Sequence, residues 1–252
     1  DNYNDGRIKT FNVAADGTTV TNVNTWEHDG NNGTYNSLAR RSDDVYALAY
    51  QTSSSRGNIR TFKVDANGSI SSLNVLQFEG SSTAETSLIQ LKGDLFLLAY
   101  PGVSNDGMLK SFNIGTNGSI SGLKTLEHNT ADGWAPTLHK MTDSTAVLVY
   151  SDHANSTHEV KTFHVASDGT ITEKKKIKIS DNKAFWNSIA QVDSDTYLIA
   201  AQAKDEDGYL YTYDISPDGT SITKVAELEF DEYKTRFNEL YNLGSNSFLL
   251  AH

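Results

Sequence analysis

The stretch Gly57-Asn58-Ile59-Arg60-Thr61-Phe62-Lys63-Val64-Asp65-Ala66-Asn67-Gly68-Ser69-Ile70 decides the fold, because it recurs along the chain. Its Ile-Arg-Thr-Phe core returns as Ile8-Lys9-Thr10-Phe11, Leu109-Lys110-Ser111-Phe112, Val160-Lys161-Thr162-Phe163 and Leu210-Tyr211-Thr212-Tyr213, at intervals of 50 or 51 residues. Six residues past each aromatic stands Gly17, Gly68, Gly118, Gly169 or Gly219, always preceded by Asp or Asn. A second landmark is a polar-aliphatic pair: Ser37-Leu38, Ser87-Leu88, Thr137-Leu138, Ser188-Ile189 and Glu239-Leu240. A third is the apolar run that closes each unit, from Tyr46, Phe96, Ala146, Tyr197 and Phe248.

Each unit reads as four short strands, rich in Val, Ile, Thr, Phe and Tyr and bounded by turn residues. Asp-Gly and Asn-Gly supply the positive φ of tight hairpins. No segment keeps a 3.6-residue apolar period, so helices should be nearly absent. Four strands per unit of about fifty residues suit a propeller blade, and the apolar closing runs suit strands covered on both faces. The expected fold is all-β: a five-bladed β-propeller with four antiparallel strands per blade, residues 1–252 forming one domain. The phase of the repeat predicts closure, with strands at about 6–28 completing the blade of the strands at about 236–252. A solenoid is the competing architecture.

The stretch 57–70 resembles the outer strands of lactonase-type secreted bacterial propellers, whereas the blade count and unit length resemble tachylectin-type five-bladed lectins. Those resemblances imply a fold and ligand binding on one face. They carry no catalytic residue over.

Composition narrows the function. Asp and Glu total 32 against 21 Lys and Arg, a formal charge of −11, which argues against nucleic acid. The absence of Cys excludes a disulfide scaffold and a thiolate zinc site. No apolar run approaches a membrane span. The sequence shows neither a signal peptide nor an initiator Met, so a processed chain or a domain is expected. A monomer in a secreted, periplasmic or cell-surface location is expected.

The loops that lead into the innermost strands, 29–36, 79–86, 129–136, 180–187 and 231–238, share a length and differ in content. Five equal sites are therefore not expected; one site or a few unequal ones are. Tyr35, Trp186 and Phe237 stand two residues before the polar-aliphatic pair, and Trp134 and Phe185 three before it. Exposed aromatics stack on sugars or anchor partners; buried ones pack blades together. Arg40, Gln90, Lys140, Gln191 and Asn242 are equivalent positions that either ring a central channel or are satisfied by neighbouring carbonyls. His139 joins Arg40 and Lys140 as a candidate on the same strands. His139, His153 and His252 lack metal-ligand spacing, and His28 and His128 read as packing. No cofactor is expected. The acidic runs 1–5, 105–106 and 205–207 offer oxygen donors of the kind calcium accepts, without EF-hand spacing, and read as solvated loops. The expected function is a non-catalytic module binding carbohydrate or a glycan surface. The alternatives are a hydrolase using carboxylates from Glu85, Asp152, Asp205 and Glu239, and a protein-interaction or spacer domain.

Overall fold

The computed structural model describes residues 5–252. The chain begins with a hairpin, β1 (Gly6–Val13) and β2 (Val20–Asp29). Four antiparallel four-stranded sheets follow, each in chain order. They are β3 (Thr34–Arg40), β4 (Val45–Gln51), β5 (Gly57–Val64) and β6 (Ile70–Glu79); β7 (Ser87–Lys92), β8 (Leu95–Pro101), β9 (Gly107–Ile114) and β10 (Ile120–Asn129); β11 (Gly133–Lys140), β12 (Thr145–Asp152), β13 (Thr157–Val165) and β14 (Ile171–Ser180); β15 (Phe185–Gln191), β16 (Thr196–Gln202), β17 (Gly208–Ile215) and β18 (Ile222–Asp231). A second hairpin ends the chain, β19 (Glu239–Gly244) and β20 (Ser247–Ala251). The only helical elements among the described residues are three-residue 3₁₀ turns at Ser53–Ser55, Val103–Asn105 and Lys204–Glu206.

The Asx-Gly turns behave as the sequence requires. Gly17, Gly68, Gly118, Gly169 and Gly219 all have φ between 72° and 85°. The preceding Asp or Asn accepts the N–H two residues on, at 2.9–3.1 Å, the local bond that fixes an Asx turn.

The core lies between blades. Ala47, Ala49 and Ile59 of one blade pack with Leu98, Tyr100 and Phe112 of the next. Leu97 and Leu109 pack with Leu148 and Phe163, and Val147 and Val160 with Ile199 and Tyr211. Two sets of hydroxyl clips reinforce this stacking. Thr10, Thr61, Ser111 and Thr162 donate to the carbonyls of Gly68, Gly118, Gly169 and Gly219 in the following unit, at 2.6–2.7 Å. Nearer the axis, Ser37, Ser87 and Ser188 accept the N–H groups of Leu88, Leu138 and Leu240 at 2.8–3.0 Å. Each such bond is worth about 1 kcal/mol net, and the repeat multiplies it.

A ring from the outermost strand of one blade packs edge-on against the next blade: His28 on Tyr50, Phe78 on Tyr100 and His128 on Tyr150, at 4.6–4.9 Å between centroids. Beneath each ring lies a glycine, because a methyl group on Gly107 would come within 2.6 Å of His128. The fourth unit inverts this arrangement. Ile179 and Ala201 stand where the ring and the tyrosine stand elsewhere, and His158 replaces the glycine. Its fully buried ring fills the freed volume and meets Tyr211 edge-on at 6.1 Å. Gly107→Ala is therefore expected to destabilise the protein by about 1–3 kcal/mol through overpacking. A denaturant midpoint equal to that of the wild type would contradict this packing.

The arrangement is a five-bladed propeller array, with four complete blades and a fifth divided between the ends. Among the described residues the predicted pairing between these end strands is not made. The strands at 6–28 and 236–252 are the complementary outer and inner halves of a blade, yet they stand as separate two-stranded sheets. The β1–β2 hairpin packs through Ile8 and Trp26 on Leu48, Tyr50 and Phe62, and β19–β20 through Leu240, Phe248 and Leu250 on Ala190 and Ala200. Complementarity decides which strands can pair. Whether they meet depends on the angle between successive blades, which packing sets.

Candidate functional site

The chain enters each innermost strand through one unusual residue. Tyr35, Glu85, Ala135, Trp186 and Phe237 all have positive φ, at 52°, 34°, 50°, 55° and 56°. None is Gly or Asn, so each stores roughly 1–2 kcal/mol of backbone strain. Pairing with the second strand slips at this point in three blades, between Thr34 and Ser37, Trp134 and Thr137, and Phe185 and Ser188. Such bulges re-aim side chains at the rim of a sheet.

Bonds between blades tie this rim together. Thr86 Oγ1 donates to the Tyr35 carbonyl at 2.6 Å. The Glu85 carboxylate accepts the Ala135 N–H at 2.7 Å. Asn187 Nδ2 donates to the Ala135 carbonyl at 3.0 Å, and Thr137 Oγ1 to the Asn187 carbonyl at 3.1 Å. A cavity of about 160 Å³ opens among Glu85, Thr86, Pro136, Thr137, Trp186 and Asn187. Burial pushes the Glu85 carboxyl above the usual carboxylate range, with the Ala135 N–H opposing it. Beside the cavity, Trp186 and Phe237 meet at 4.2 Å with a 43° tilt. Phe237 is 69% exposed and Tyr35 48%. The rim thus combines apolar ring faces with a shielded carboxyl and backbone carbonyls, suited to a ligand with both flat faces and hydroxyls.

The other sequence candidates lie elsewhere. Trp134 and Phe185 flank His153, with Trp134 stacked at 5.8 Å and Phe185 edge-on at 4.8 Å. Arg40, His139 and Lys140 sit at the far end of their strands, about 13–17 Å along from the rim at ~3.3 Å per residue. Arg40 bonds the Ser42 carbonyl at 2.9 Å and Asp43 at 3.1 Å, and Lys140 bonds Asp143 at 3.0 Å. His139, its pKa lowered by burial, lines a separate cleft of about 650 Å³ with Gln191, Asp193, Tyr241 and Asn242. The predicted polar ring is largely satisfied internally: Gln90 donates to the Arg41 and Gly93 carbonyls, Gln191 to the Tyr197 hydroxyl and Asn242 to the Gln191 carbonyl.

Of the four candidate carboxylates, only Glu85 belongs to the rim cavity. Asp152 is buried and accepts three bonds, from the Asn155 N–H and from the side chains of Asn155 and Asn129, at 2.9–3.0 Å. Asp205 lies in the Lys204–Glu206 turn, and Glu239 heads β19, exposed. The three histidines considered for a metal are apart in contact: His139 with Tyr197, His153 with Trp134 and Phe185, and His252 with Phe230. Among the described residues no group of three or more His, Asp or Glu is placed to hold a metal ion. Of the acidic run at 1–5, residues 1–4 lie outside the described residues. No helix among the described residues is long and apolar enough to cross a membrane.

No protein-family model and no curated protein matches the chain. Its backbone is similar to solved propeller structures. A Lactobacillus plantarum protein matches with a TM-score of 0.62 and 18% identity, over 87% of this chain and 64% of that one. Saccharomyces cerevisiae Sqt1 matches at 0.58 and 12%, over 88% and 57%, and Chaetomium thermophilum Sqt1 at 0.52 and 15%, over 74% and 45%. The chain thus spans less than two thirds of the length of each, and at these identities the likeness is one of fold: a β-propeller repeat array.

Proposed function

We propose that the chain is a non-catalytic binding module whose rim of left-handed residues takes carbohydrate. The Trp186–Phe237 pair beside the Glu85 cavity carries this reading. Sugar rings present flat C–H faces to aromatic rings, and their hydroxyls donate to a carboxyl oxygen and to backbone carbonyls. The differing loops favour one principal site between the second and fifth units over five equal ones. The commitment of Asp152 to Asn129 and Asn155 weighs against the hydrolase reading.

A glycan array followed by calorimetric titration tests this. The wild type is expected to bind a defined glycan. Trp186→Ala should weaken binding about tenfold, since an aromatic contact contributes about 0.5–1.5 kcal/mol beyond its area. Trp134→Ala should leave affinity nearly unchanged, because its ring lies on His153. Absence of glycan binding, or equal binding by Trp186→Ala, would count against the proposal.

A further inference from the structure

Glu85 departs from the rim pattern in kind. The equivalent left-handed residues are Tyr35, Ala135, Trp186 and Phe237, none of which carries a charge. One carboxylate oxygen of Glu85 is committed, since Oε2 accepts the Ala135 N–H at 2.7 Å. The other, Oε1, takes no hydrogen bond among the described residues and stays accessible. No cation answers the charge either: burial and the Ala135 N–H are the influences on this carboxyl, and no Lys, Arg or His adds to them. The protein treats its other shielded acids differently. Glu159, 5% exposed, is held by Lys176 at 2.8 Å, and Asp94 is paired with Arg41. A shielded carboxylate without a partner is costly, so the cavity at Glu85 is one cation short.

The rest of the wall has the same bias. The hydroxyls of Thr86 and Thr137 donate to the Tyr35 and Asn187 carbonyls, and Asn187 Nδ2 donates to the Ala135 carbonyl. With their protons placed there, the two hydroxyl oxygens can only accept from a ligand. Trp186 lines the same cavity, and an indole face attracts cations. The cavity holds about 160 Å³. The formal charge of −11 repels acidic sugars and draws cationic ones toward the molecule.

We propose that the sugar taken at this rim is an amino sugar with its nitrogen unacetylated, its ammonium group entering the Glu85 cavity while its ring lies on Trp186 and Phe237. This rests on the carbohydrate reading and narrows it. An ammonium group carries three donors and no acceptor. Glu85 Oε1 takes one of them in a charge-assisted bond, and the Thr86 and Thr137 oxygens are the acceptors for the others. A hydroxyl in the same place would bring one donor and no charge. An N-acetyl group would bring a carbonyl acceptor into a wall already rich in acceptors.

Calorimetric titration at pH 6 with β-1,4-linked tetramers of glucosamine, N-acetylglucosamine and glucose tests this. The wild type is expected to bind the glucosamine tetramer at least about tenfold more tightly than either of the others. Glu85→Gln keeps an oxygen for the Ala135 N–H and removes the charge, so its three affinities should converge to within about threefold. Its melting temperature, close to that of the wild type, would show that the fold is intact. Because the preference is read first on the wild type, the test does not depend on the variant folding. Equal binding of the three tetramers, or tighter binding of the acetylated one, would overturn the assignment and leave the carbohydrate reading standing. A preference that survives Glu85→Gln would also overturn it, since general attraction to an acidic protein would then be the source. Binding of some other glycan on the array with no affinity for the glucosamine tetramer would overturn it as well. Absence of binding to every glycan would remove both readings.

Discussion

Stability is expected to fall steeply as the pH drops from 7 to 4, well before most carboxylates are protonated. Burial holds His128 neutral down to about 3, with Lys161 and Lys176 adding to the effect. Burial likewise lowers His158 to about 3, and His28 to about 4, where it outweighs the nearby Asp29. In the unfolded chain these groups take protons near pH 6.5. The folded pKa values are depressed, so the unfolded state binds more protons below 6.5. The stabilisation is fully present above that pH and is lost as pH falls toward 3–4. Each fully buried histidine adds about 1.4 kcal/mol per pH unit of slope in that window. Burial raises the Glu85 pKa, which acts in the opposite sense and offsets part of the slope. Urea melts at half-unit pH steps would measure it. The repeat supplies its own control, because Phe78 fills in the second unit the place that His128 fills in the third. His128→Phe should fold and show a shallower slope. A wild-type profile flat between pH 7 and 4.5 would show that these rings are not held neutral by the fold.

Phe112→Ala should cost about 3–5 kcal/mol, and Phe11→Ala about 1 kcal/mol or less. The two residues hold the same place in the repeat and differ only in surroundings. Phe112 is fully buried against Phe78 and the neighbouring blades, whereas Phe11 lies on the open face of the first hairpin. Chemical denaturation reads the difference. Equal large costs would mean that Phe11 is covered in solution.

The repeat was legible because its cues are local. Asx-Gly turns, a Thr before an aromatic and an apolar closing run each act within a few residues, and together they specify strands, register and blade count. The hydroxyl of Thr61 and the carbonyl of Gly118 were visible only as separate landmarks, since their bond crosses between units. Closure misled for a related reason: matching halves at 6–28 and 236–252 say nothing of the angle between blades. At the rim, the aromatic positions were readable from internal comparison. The left-handed backbone was not, because Tyr, Trp, Phe, Glu and Ala give no hint of positive φ. Glu85 appeared in the sequence as the break in the aromatic pattern, and the structure places it in the cavity wall. Arg40, His139 and Lys140 lie on the same strands as Tyr35 and Trp134. Strand length separates the two sets.

The central claim is that the strain at Trp186 and Phe237 is kept for a ligand and not for packing. Glycine adopts positive φ without that strain, so Phe237→Gly and Trp186→Gly separate the two roles. Melting temperature and affinity for the glycan identified on the array would be measured on both variants in parallel. The account predicts a melting temperature within a few degrees of the wild type, or above it, together with at least tenfold weaker binding. Undiminished binding with a large loss of stability would contradict it.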